Sequence, residues 1–124
     1  MTDRASKSGM DAIELLRQQL RKFASERDWD QFHYPKNLAI ALSVESGELL
    51  EHFQWVTAEQ SAHLAESQLA QVRLELADVF LYLVSLSDKL SVDLVAAAFE
   101  KLEINQKKYP VDLAKGNAKK YTEL

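Results

Sequence analysis

Apolar side chains recur every three or four residues along most of the chain, and no stretch alternates with a period of two. That periodicity predicts helices and no strands. A first helix from about Met10 to Glu26 carries Ile13, Leu16, Leu20 and Phe23 on one face. Asp28, Trp29, Asp30 and the stretch Phe32-His33-Tyr34-Pro35 interrupt it, because Pro35 steers Tyr34 away from helical backbone. A second helix follows with Leu38, Ala41, Leu42, Leu49 and Phe53, and Asn37 is its expected N-cap. Thr57-Ala58-Glu59-Gln60 has the form of a capping box and opens a short third segment. The fourth pattern, about Ser67 to Leu90, is apolar on almost every side beyond Leu74. Ser91 or Asp93 caps a last helix through about Tyr109, where Pro110 stops it. The expected architecture is an all-α bundle of four to five helices. Residues 1–9 are expected as a flexible N-terminus, 10–109 as the helical domain and 110–124 as a C-terminal tail.

Composition narrows the class. With 124 residues the chain is expected to form one domain, able to bury roughly two-thirds of its extended surface. A hydrophobic share of 47% against 27% charge excludes a disordered chain. Three Gly and two Pro are too few turn-formers for a sandwich or barrel. Without cysteine there is no disulfide, thiolate metal site or cysteine nucleophile. The apolar run from Val79 to Leu86 contains Tyr82 and Ser85 and falls far short of the ~20 residues of a membrane span. Residues 1–10 carry no apolar signal core, so a cytoplasmic protein without a membrane partner is expected.

The net charge of −4 is unevenly spread. Between Ile40 and Glu100 ten acids face only Arg73 and Lys89, whereas six lysines follow from Lys101 onward. Nucleic-acid binding modules present one broad basic face, so no nucleic-acid partner is expected.

Two acidic pairs stand out. Glu45 and Glu48 are three residues apart on the second helix, and Glu75 and Asp78 repeat the spacing on the fourth. Like charges at this spacing repel by a few tenths of a kcal/mol even on a surface. Here Ala41, Leu42, Val44 and Leu49 flank the first pair, and Val79, Phe80 and Leu81 follow the second. A desolvated carboxylate needs a partner or a raised pKa. Two such pairs facing one another would suit a hard divalent cation, Mg²⁺ or Mn²⁺. Gly47 within the first pair suggests a close backbone approach. A di-iron bundle would need Glu-x-x-His ligand sets, which His33, His52 and His63 do not supply; each is expected on a surface or loop.

With these motifs, Glu45-Ser46-Gly47-Glu48 and Glu75-Leu76-Ala77-Asp78, the sequence resembles the MazG-like all-α nucleoside triphosphate pyrophosphohydrolases, most closely their dCTP pyrophosphatase branch. Phe32 to Leu38, Phe53-Gln54-Trp55, Asp78 to Leu83, Lys108-Tyr109-Pro110 and the ending Lys120 to Leu124 share the likeness. The resemblance implies Mg²⁺-dependent hydrolysis of a (deoxy)nucleoside triphosphate to the monophosphate and pyrophosphate. It places the metal-binding and catalytic acids at Glu45, Glu48, Glu75 and Asp78. Base-contacting aromatics fall on Trp29 and Trp55. Phosphate or sugar contacts fall on Tyr82, Lys101, Asn105, Lys108 and Tyr109, and Lys36 and Asn37 join the substrate-binding set. Lys101, Asn105 and Lys108 share one helix face, which fits a polyphosphate held opposite the acids. Either Glu45 or Glu48 takes the proton of the attacking water. The segment from Val56 to Gln68 departs from the family pattern and leaves the preferred base open.

The fourth helix also predicts assembly. One small bundle covers only part of a helix that is apolar from Leu74 to Leu86, and pairing about a two-fold axis would cover the rest. A homodimer is the minimum; a dimer of dimers follows from the resemblance. The alternative to an enzyme is a non-catalytic helical oligomerisation module or a nucleotide-binding regulator.

Overall fold

The computed structural model describes residues 9–124. The expected flexible stretch at 1–9 therefore lies, up to residue 8, outside the described residues. Helix α1 spans Gly9–Glu26, α2 Pro35–Glu51, α3 Ala58–Ser61, α4 Glu66–Lys89, α5 Leu94–Lys108 and α6 Val111–Ala114. Short 3-10 turns occupy Asp30–Phe32 and Tyr121–Glu123, and no strand occurs among the described residues. The four long helices match the periodic segments to within about two residues. None of the described helices is long and apolar enough to cross a membrane. Contacts divide the chain into two compact units, one up to Ser91 and one from Val92 to Leu124.

Helix ends follow local chemistry. Asp28 closes α1 in the left-handed region, at φ 57°. The Trp29 amide donates to the Ala24 carbonyl at 2.8 Å and the Asp28 amide to the Ser25 carbonyl at 3.1 Å. This Schellman pattern folds Trp29 back onto the helix it has just left. Its ring meets Phe23 edge-on, with centroids 5.6 Å apart. Thr57 and Gln60 form the expected capping box, and the Asp93 carboxylate caps α5 through the Ala96 amide. Such caps each contribute about 1 kcal/mol.

The N-cap expected at Asn37 is corrected: α2 begins earlier, with Tyr34 as cap and Pro35 at the first helical position. Proline there has its φ preset and loses no hydrogen bond, so it sets the helix start. Asn37 instead donates its side-chain amide to the Phe32 carbonyl at 2.9 Å, pinning the loop to the first turn of α2. Gly47 is a second correction. A Cβ there would meet nothing within 4 Å, so no close backbone approach explains it within the chain.

In the first unit α2 packs along α4, and α1 packs on α4 beside it. Ala24, Leu38, Val72 and Val84 are its buried apolar side chains, with Leu38 and Val84 enclosed almost completely. Burying a side chain of this kind contributes about 1.5–3 kcal/mol. Helix α4 is not covered all round by its own chain: Leu74 is 64% and Leu76 53% exposed. In the second unit, Tyr121 returns to α5, edge-on to Tyr109 and beneath the Lys108 ammonium, 4.6 Å from the ring centre. The stretch from 110 onward thus contains α6 and a 3-10 turn.

A charged clamp ties α1 to α4. The Arg21 guanidinium donates to both Asp88 carboxylate oxygens, at 2.8 and 2.6 Å. Arg17 adds its charge 3.8 Å from the same carboxylate and pairs with Glu14 on its other side. Hydrogen bonding to Arg21 holds Asp88 below the usual carboxylate range against the opposing effect of burial. A depressed folded pKa means stabilisation that is present above the unfolded value and lost as pH falls through the folded one. Asp88→Asn should therefore lower the melting temperature by a few degrees at pH 7, with the difference shrinking below about pH 4. Thermal circular dichroism across pH checks this; a pH-independent difference would deny the ionised carboxylate its role.

Candidate metal centre and adjoining pocket

Helices α2 and α4 bring the two acidic pairs together. Carboxylate oxygens of Glu45, Glu48 and Glu75 all lie within 4.8 Å of one another. Asp78, one turn after Glu75, is within hydrogen-bonding reach of Glu45. Spacing of three residues puts each pair on one helix face, and the α2–α4 contact then sets the pairs opposite.

The electrostatics are one-sided. Burial is the largest influence on Glu45 and pushes its pKa up; the hydrogen bond with Asp78 and the charges of Glu48, Asp78 and Glu75 push it further in the same direction. Every influence acts in the same direction, so the uncharged form of Glu45 is favoured more than in an isolated carboxyl. Oxygen donors from two helices, with every neighbouring charge negative, fit a hard divalent cation. Ligation requires deprotonated acids, so a bound cation would act against the upward shift of Glu45.

Asp78 also opens onto a pocket of about 540 Å³ between α1 and α4. Its walls are Leu16, Leu20, Phe23 and Ala24 from α1, Leu81 and Tyr82 from α4, and Trp29 and His33 from the loop, with Gln19 and Ser85 as further polar lining. Apolar walls with a few convergent polar groups are the usual form of a small-molecule site. The Schellman turn brings Trp29 here, and His33 stands edge-on to it at 6.5 Å.

The predicted site residues separate accordingly. Glu45, Glu48 and Glu75 converge, Asp78 adds its charge beside Glu45, and Trp29 and Tyr82 join Asp78 in the pocket wall. Trp55 does not: it follows α2, 88% exposed, away from this pocket. Lys36 and Asn37 sit in the first turn of α2, with Asn37 engaged by the Phe32 carbonyl. Lys101, Asn105 and Lys108 lie along α5 with Tyr109 at its end, in the second unit. Sequence reasoning missed Gln19, His33 and Ser85. Gln19 shares a helix face with Leu16 and Phe23, and Ser85 lies two turns beyond Asp78; that spacing was the available signal.

An all-α unit with paired acids at a helix–helix contact defines a class, and the comparisons agree with it. The chain belongs to the MazG-like family, whose model matches residues 40–124. It is 44% identical over 123 residues to dCTP pyrophosphatase 1 of Homo sapiens, covering 98% of this chain and 72% of the relative. The Bos taurus dCTP pyrophosphatase 1 is also 44% identical, over 94% of this chain and 70% of its own length. Among solved structures, a pyrophosphatase from Archaeoglobus fulgidus superimposes with a TM-score of 0.76 at 39% identity, covering 80% of this chain and 93% of its own.

Glu45→Gln removes one charge from a repelling set. A raised folded pKa means stability that is present at low pH and lost as pH rises through that value. The variant should therefore match or exceed the parent's melting temperature at pH 7.5 without metal, and lose most of the rise that millimolar Mg²⁺ gives the parent. Differential scanning fluorimetry with Mg²⁺ and with EDTA checks both halves; an undiminished Mg²⁺ response in the variant would remove Glu45 from the ligand set.

Proposed function

We propose that this chain hydrolyses dCTP and related deoxynucleoside triphosphates to the monophosphate and pyrophosphate with Mg²⁺, clearing nucleotides from the cytoplasmic pool. That it is an enzyme of the nucleoside triphosphate pyrophosphohydrolase class rests on its family and on relatives named as dCTP pyrophosphatases and a pyrophosphatase. The observation that carries the reading is the acid cluster opening, through Asp78, onto an apolar pocket.

Glu45, Glu48, Glu75 and Asp78 would hold Mg²⁺. When bound, Mg²⁺ supplies neutralisation of polyphosphate charge and polarises the phosphoryl oxygens. Trp29 and Tyr82 offer aromatic surfaces to the nucleoside in the pocket, and stacking is tolerant of base identity. Lys101, Asn105 and Lys108 are assigned to phosphate, with Tyr109, Lys36, Asn37 and Trp55 as further substrate contacts. Water attacks the α-phosphorus in line with the leaving pyrophosphate, and Glu45 or Glu48 accepts its proton.

The active form is proposed to be a homodimer or a dimer of dimers. Support comes from the exposed apolar side chains of α4, Leu74, Leu76 and Phe80, which a symmetric pairing would cover.

Incubation of dCTP with the chain and Mg²⁺ in ¹⁸O-water should give labelled dCMP and unlabelled pyrophosphate, and EDTA should stop it. Orthophosphate as the first product would overturn the assignment. Glu48→Gln and Asp78→Asn should each lower kcat/KM at least about 100-fold while helical circular dichroism persists. Near-parental turnover in both would remove the acids from the reaction. Light scattering should return about 28 or 56 kDa, two or four times the 14.1 kDa chain; a fully active 14 kDa particle would refute the oligomer.

A further inference from the structure

Serine inside a helix can donate its hydroxyl back to a carbonyl one turn earlier. Ser46 does so to Leu42, Ser61 to Ala58 and Ser87 to Val84, whereas Ser25, Ser43 and Ser67 do not and are exposed to water. Ser85, half-buried in the middle of α4, makes no such bond among the described residues; it lines the pocket instead. Across the pocket on α1, Gln18 is committed to Glu14, whereas the neighbouring Gln19 lines the same cavity without a partner among the described residues. A half-buried hydroxyl and a solvent-exposed amide thus line the pocket from two helices, beside its other polar members Asp78, Tyr82 and His33.

Their distance from the acids matters. Asp78, Tyr82 and Ser85 follow one stripe of α4, and the seven-residue step from Asp78 to Ser85 rises about 10 Å along the helix axis. A nucleotide with its phosphates at the acid cluster would lay its sugar and base end to end along that stripe. Its base then reaches Ser85 and Gln19, past the Trp29 and Tyr82 rings. Both side chains carry a donor and an acceptor, and a primary amide can meet an adjacent donor–acceptor pair on a base edge with two parallel bonds. The apolar walls cannot discriminate such an edge, because they make no directional contact.

We infer that Gln19 and Ser85 are specificity-determining residues that hydrogen-bond the polar edge of the base, cytosine in the proposed substrate. The inference rests on the reading of this pocket as the nucleoside seat. It makes base recognition a property of α1 and α4 together, separate from the acids that act on the phosphates.

The test compares a base-bearing ligand with one that lacks the base, in binding and not in turnover. Calorimetry with Mg²⁺ gives dissociation constants for the α,β-methylene analogue of dCTP and for deoxyribose 5-triphosphate, on the parent chain and on Gln19→Leu and Ser85→Ala. The parent should prefer the base-bearing ligand, and each substitution should cut that preference about tenfold. A preference unchanged in both variants, or absent from the parent, overturns the inference. Ser85→Thr, which keeps the hydroxyl, should retain more of the preference than Ser85→Ala; equal losses would mark a packing effect and count against base reading. If the analogue binds with this pattern but dCTP is not hydrolysed, the proposed reaction fails and the base-reading assignment stands.

Discussion

Repulsion among four carboxylates is the constraint around which the first unit is built. Helices α2 and α4 could pack at lower cost with apolar residues at Glu45, Glu48, Glu75 and Asp78. Instead their contact holds three carboxylate oxygens within 4.8 Å of one another and pushes the Glu45 pKa upward. Packing elsewhere along the same contact offsets the cost, with Leu38 and Val84 nearly inaccessible to water. Only opposite charge would turn that repulsion into binding, which is why the donor set fits a hard divalent cation.

Asp88 and Glu45, both perturbed, respond to pH in opposite senses. Asp88 is held in its charged form by Arg21 and favours the fold at neutral pH, whereas Glu45 is driven toward its protonated form and opposes it there. The clamp at Asp88 lies on the α1–α4 contact, which also forms the pocket walls, so α1 is fixed where it shapes that pocket. The acid pairs need no such help, since they ride on the α2–α4 contact. The acid pairs and the apolar pocket therefore depend on different pairs of helices.

The sequence by itself determined the helices, because a 3.6-residue apolar period and a capping box are local signals that neighbours rarely override. It also determined the four acids, since charged pairs among apolar residues are conspicuous without any tertiary information. The start of α2 was legible too, but Asn37 was favoured over Pro35; the proline decides because its fixed φ fits the first helical position. What only the tertiary structure decided is which side chains meet. The left-handed turn at Asp28 swings Trp29 into the pocket while Trp55 stays in solvent, although the resemblance implied both alike as base-contacting aromatics. Gln19, His33 and Ser85 came into one cavity only when α1 crossed α4, because each lies on a different element and no local period relates them.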